Sequence, residues 1–248
     1  MKKTIITLGL SLAILSMPFS ASAQTITTGK TEAKTANLSN LETKCTNDIN
    51  MRFASLNKAE TRINGLAKLT AAQKQQFISE INSDISGLQA VQTQCTNDFN
   101  AGNIKALRAD YMSIFANFRV YYVFLPQLHL LIASDTMGVT ADKLTDYATK
   151  LQDRIQKAGN PSNLTSLLAD MQSKIADAEK QYSNVQAQVT PLTPQSWDTN
   201  PTGTKAILVN ARSEIQIGAA DLKAAHADAK QITEALEAET TPEPTATQ

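Results

Sequence analysis

The sequence predicts an all-α protein, an elongated antiparallel bundle of five to six long helices with mobile ends. Three observations carry this. Apolar residues recur at steps of three and four through most of the chain, the period of one helix face. Gly65, Gly102, Gly138, Gly159 and Gly203 fall at intervals of roughly 20 to 45 residues, which leaves long helical stretches between them. After the first 23 residues no alternating run of β-branched residues is long enough for a strand.

Residues 1–23 read as a secretory signal peptide. Lys2 and Lys3 form a positive start, Ile5 to Leu15 an apolar stretch, and Ala21-Ser22-Ala23 a small-residue end, with cleavage expected after Ala23. No Cys follows to take a lipid. The expected destination is the periplasm or the extracellular space, with no permanent membrane span once the leader is removed. Residues 24–37 (QTITTGKTEAKTAN) are polar and are expected to be mobile.

The first helix is expected over 38–66, where Leu38, Leu41, Cys45, Ile49, Phe53, Leu56, Ile63 and Leu66 form the stripe. Thr70-Ala71-Ala72-Gln73 has capping-box spacing and should open the second, 71–100, striped by Phe77, Ile81, Ile85, Leu88, Cys95 and Phe99. A third helix is expected over 103–135. Thr140 can cap a fourth, 140–158. Asn160-Pro161 can start a fifth, 161–190, with Pro at the first helical position. Pro191, Pro194 and Pro201 make 191–203 a non-helical crossover that contains the only Trp, Trp197. The last helix is expected over 204–238, and 239–248 (ETTPEPTATQ) is expected to be disordered.

The 248-residue chain carries 23 Lys+Arg against 23 Asp+Glu, and loss of Lys2 and Lys3 leaves the mature chain near −2. That balance argues against nucleic acid as a partner, which needs a basic face. Two Cys and two His exclude zinc-finger arrays and iron–sulfur sites, and no metal or cofactor is expected. Cys45-Thr46-Asn47-Asp48-Ile49-Asn50 and Cys95-Thr96-Asn97-Asp98-Phe99-Asn100 are nearly the same hexapeptide. Paired thiolates and carboxylates could in principle hold a metal, but they mix soft and hard ligands with no His nearby. In a hairpin turning between Leu66 and Thr70, Cys45 and Cys95 come almost opposite each other on the two apolar stripes. An exported protein meets oxidising conditions, so a Cys45–Cys95 disulfide is expected.

Residues 120–134 (VYYVFLPQLHLLIAS) carry no Asp, Glu, Lys or Arg. One reading is an enclosed central helix, kinked at Pro126. The other is a segment that leaves the bundle to enter a membrane, although 15 uncharged residues are short for a span. Arg119, just before this run, and His129, within it, are the candidate functional residues. Arg119 should bind an anion or pair with an acid such as Asp110 or Asp135. His129 has Leu125 and Ala133 at i−4 and i+4, so no local partner makes it a base or a ligand. His226, in Ala224-Ala225-His226-Ala227-Asp228, reads as a solvated or helix-contact residue. The Walker, dinucleotide-binding, zincin and nucleophile-elbow motifs are absent, and the remaining acids read as solvated helix faces. No catalytic residues are assigned.

The stretch Phe118-Arg119-Val120-Tyr121 through Leu125-Pro126-Gln127-Leu128-His129 to Ala133-Ser134-Asp135 resembles a pattern in uncharacterised exported helical-bundle proteins of bacteria. In them the line reads Y-R-V-Y…P…H-L…A-A-D; here Phe118 stands for the Tyr and Ser134 for an Ala. The resemblance implies export and a helical bundle, and brings no activity with it. The expectation for function is a non-catalytic envelope or extracellular interaction and spacer module whose partner is a protein or a cell-envelope component. A membrane-active protein inserting 120–134 stands second, and an enzyme built around Arg119 and His129 a remote third.

Overall fold

A computed structural model describes the backbone of residues 21–240 and the side chains of 35–238. The elements are α1 (Ala21–Gly65), α2 (Ala71–Asn100), α3 (Ile104–Asn117), a π-helical turn (Val120–Phe124), α4 (Leu125–Lys157), α5 (Ser162–Val189), α6 (Pro194–Thr199) and α7 (Pro201–Thr240). The fold is an all-α bundle. Most of the leader 1–23 and of the tail 239–248 lies outside the described residues. The backbone of 24–37, expected to be a mobile polar segment, is helical as the start of α1. Nothing between Gln24 and Leu38 stops a helix, since the stretch lacks Pro.

α1 and α2 form the hairpin that the stripes predict. Thr70 Oγ1 accepts from the Gln73 N–H at 3.2 Å, and Gln73 Oε1 accepts from the Thr70 N–H at 2.9 Å, a complete capping box. Cys45 and Cys95 are disulfide-bonded, with S–S 2.06 Å and Cα–Cα 6.7 Å, and both are fully buried. The repeated hexapeptides also supply Asp48 and Asp98, which reach successive residues of α3. Asp48 accepts from Tyr111 Oη at 2.8 Å, and Asp98 stands beside Asp110, whose pKa is raised by burial and by that neighbouring acid.

The expected helix 103–135 is broken, and the expected break near 136–139 does not exist. Arg119 has φ 45°, so α3 ends and the chain turns. The ring of Phe118 closes against Gly87 of α2, where a Cβ would collide with it. Pro126 does not kink a long helix. It sits in the first turn of α4, directly after the π-turn, where the lack of an N–H is tolerated. Gly138 lies inside α4, where its missing Cβ admits the stem of Lys68 and the ring of Tyr182. Thr140 is therefore mid-helix, its hydroxyl donating to the Thr136 carbonyl at 2.8 Å.

Between α4 and α5, Gly159 (φ 84°) and Asn160 (φ 57°) reverse the chain, and α5 starts at Ser162 with Pro161 as its N-cap rather than its first residue. The stretch 191–203, expected to be non-helical, is largely helical: α6 is opened by a capping box between Thr193 and Ser196, and α7 begins at Pro201, where Pro is tolerated in a first turn, rather than at 204. α5 runs antiparallel to α4 and to α7. Lys174 meets Asp228 at 2.8 Å and Gln188 meets Glu214 at 2.9 Å along the α5–α7 seam. α4 and α7 consequently run parallel.

Two apolar cores follow. One joins α1, α2, α3, the π-turn and the start of α4 around Ile49, Leu88, Ile114 and Phe124, with Val185 and Val189 of α5. The other joins α4, α5 and α7 around Leu151, Met171 and Ile232. The α1–α2 loop links them, because the Asp135 carboxylate accepts from the N–H groups of Ala67 (3.1 Å) and Lys68 (2.6 Å). Lys68 Nζ then pairs with Asp142 at 2.5 Å, two turns along α4. Replacing both Cys45 and Cys95 by Ala should lower unfolding stability by about 4 kcal/mol, the chain-entropy value for a loop of this size. Urea unfolding with and without reductant measures it, and the double variant should not respond to the reductant.

Candidate functional site

The uncharged stretch positions two side-chain clusters, one at each of its candidate residues. His129 is exposed on α4 at the edge of a recess of about 240 Å³ between α1 and α4. Ser55, Lys58, Ala59 and Arg62 of α1 form one wall, and Leu125, Leu128 and His129 of α4 the other. Tyr121 Oη lies 3.2 Å from Ser55 Oγ at one end. No lining residue is acidic. An ammonium, a guanidinium and an imidazole thus surround an apolar floor, which suits a planar or tetrahedral anion. Lys58 and Arg62 were not singled out from sequence. The available signal was a like-charged i,i+4 pair with no acid three or four residues away on either side, a surface arrangement with nothing local to offset it.

Arg119 does not join His129. Its Nε and Nη2 donate to Asp198 Oδ1 at 2.9 and 2.6 Å, and its Nη1 donates to the Phe115 carbonyl at 2.8 Å. The expected partners lie elsewhere: Asp110 stands beside Asp98, and Asp135 accepts from the α1–α2 loop. Asp198 belongs to α6, so Arg119 ties the crossover to the π-turn. Trp197 beside it packs on Tyr122 with ring centroids 5.4 Å apart.

The flanking run is largely enclosed. Val120, Val123, Phe124, Leu128, Leu130 and Leu131 are in the core, whereas Tyr121, Tyr122 and His129 are exposed. Gln127 is 1% exposed, and its Nε2 donates to the carbonyls of Val189, Thr190 and Leu192, capping the end of α5. A buried Arg52 stacks between the rings of Phe115 (4.7 Å) and Tyr121 (4.9 Å), and its Nη1 donates to the Asp48 carbonyl at 2.8 Å. Burial lowers its pKa and the Asp48 charge opposes that shift. This cluster clamps α3 and the π-turn onto α1.

Not all acids are solvated faces. Glu80 and Asp84, one turn apart on α2, each keep a buried carboxyl oxygen without a hydrogen-bond partner. Burial pushes Glu80 up to about 7; burial and the neighbouring Glu80 push Asp84 to about 7. Among the described residues no group of three or more His, Cys, Asp or Glu is placed to hold a metal ion. Among them, too, no helix is long and apolar enough to cross a membrane.

Glu80 and Asp84 have ordinary values of 4.5 and 3.8, so between those values and about 7 the unfolded chain releases protons that the folded chain retains. Their contribution is complete below the ordinary values and is lost as pH rises through 7. Glu80→Gln with Asp84→Asn should match the parent in denaturant midpoint at pH 4 and exceed it at pH 8. Arg119→Ala should free α6, shifting Trp197 emission to longer wavelength while far-UV circular dichroism changes little. Compared with protein-family models, curated proteins and solved structures, the chain matches none.

Proposed function

We propose that the protein is an exported, non-catalytic helical module of the cell envelope or extracellular space that tethers or spaces other components. The observation that carries this reading is the basic recess of Lys58, Arg62 and His129, open to solvent on the disulfide-bridged hairpin and with no acidic residue in its lining. Such a recess holds an anionic group of an envelope polymer by charge and hydrogen bonding without turning it over. The leader-like residues 1–23 support export, and the Cys45–Cys95 bridge suits an oxidising compartment. Helices of 28 to 45 residues supply the reach, since a 30-residue helix is about 45 Å long.

The test is co-sedimentation of the purified mature chain with insoluble anionic envelope polymer. Retention should fall about tenfold in the Lys58→Glu/Arg62→Glu variant and should weaken with added salt. Retention unaffected by both changes, or reproducible cleavage of the polymer, would overturn the reading. Terminal sequencing of the exported protein should begin at Gln24.

A further inference from the structure

We propose that the groove between α4 and α7 binds a single-chain anionic amphiphile of the fatty-acid class, with the acyl chain in the groove and the head group at Lys223. The groove begins one helical turn along α4 from the basic recess, since Ala133 follows His129 by four residues, and its volume of about 400 Å³ is within the roughly 300–1,000 Å³ of small-ligand sites. Its walls are Ala133, Met137 and Leu144 of α4 facing Ile215, Ala219 and Leu222 of α7. The two helices run parallel, and they approach closely at Gly218, where a Cβ would collide with Met137. Met137 forms the floor there, and its unbranched thioether adapts to a chain of variable shape.

The groove is graded along its length. The end at Ala133 and Ile215 is apolar, whereas Lys223 and His226 stand on the rim towards the other end. Beyond His226 the groove becomes polar, lined by Tyr147, Lys230, Thr233 and Glu234, with Tyr147 Oη and Thr233 Oγ1 2.8 Å apart. Lys230 is engaged with Glu234 at 3.6 Å. Ion pairs among the described residues otherwise involve Lys68, Arg119 and Lys174, so Lys223 has no ion-pair partner among them. No acid lines the apolar section. An apolar trough that ends at an uncompensated ammonium complements a molecule with one greasy tail and one anionic head. A neutral hydrocarbon would leave the ammonium unused. A peptide helix would need a longer groove than one that turns polar at His226.

Calorimetric titration of the full mature chain with dodecanoate, kept below its micelle concentration, tests the proposal. One saturable site is expected. Ala219→Trp, a change at an exposed groove position, should abolish it while the disulfide and helical circular dichroism persist; Ala133→Trp blocks the opposite wall if the first variant is disturbed. Lys223→Glu should weaken dodecanoate about tenfold, the size of one charge-assisted contact, and leave dodecanol unchanged. No saturable site, or binding that survives both Trp variants, overturns the proposal. Equal affinity for dodecanoate in the Lys223→Glu variant overturns the anionic head group. Binding to anionic phospholipid vesicles without binding to dodecanoate assigns the groove to a membrane surface instead, and a dimer dissolved by Ala219→Trp assigns it to a second copy; both overturn the proposal.

Discussion

The two halves of this bundle have separate apolar cores, and their relation depends on how the α1–α2 loop sits on α4. Two backbone N–H groups of the α1–α2 loop, those of Ala67 and Lys68, lie beyond the helical ladder and need a partner from elsewhere. The Asp135 carboxylate takes both, at 3.1 and 2.6 Å, from a site only 7% exposed. Charge-assisted bonds to a buried carboxylate are short and directional, so they fix the loop's position along α4 as well as its distance from it. Gly138 and Asp142 complete the contact one and two turns further on, by admitting and then pairing Lys68. With that register set, Lys58 and Arg62 come to lie opposite His129, and the basic recess is a consequence of it.

Two neighbouring features place the rest. The left-handed Arg119 breaks what would have been one long helix, and its guanidinium then ties the crossover helix α6 to the break through Asp198. The residue that imposes the turn also anchors what returns to it. Gln127 works similarly at the other side of the turn, closing the end of α5 with a side-chain amide. Both are polar solutions to chain ends inside an apolar setting, where unpaired carbonyls are costly.

The helical class, the hairpin, its capping box and the Cys45–Cys95 pair were legible because each rests on local period or on symmetry about one turn. The break at 118–119 was not. A left-handed Arg has no sequence marker, and the turn is held by Asp198 on Arg119 and by Gly87 under Phe118, which are contacts between distant segments. Gly138 read as a helix end because a glycine's punctuation and its role as a close-packing residue look alike in one sequence. His129 was found as a candidate, but its recess was not, because half of the lining comes from α1. Lys58 and Arg62 carried a weak local signal in their unbalanced spacing. Glu80 and Asp84 looked like any acids on a helix, and only the packing of α2 reveals them as desolvated.

The position of the sulfur bridge has a mechanical consequence. The bridge lies near the open end of the α1–α2 hairpin, and residues 46–94 form a loop closed by it. Tension entering through the N-terminal part of α1 crosses from Cys45 to Cys95 through the S–S bond and bypasses that loop. At about 3.3–3.6 Å per extended residue, some 160–180 Å of contour length is thereby withheld from a chain under load. A chain bridged this way stretches over a shorter range than its residue count implies. On reduction it lengthens without losing any part of its chain.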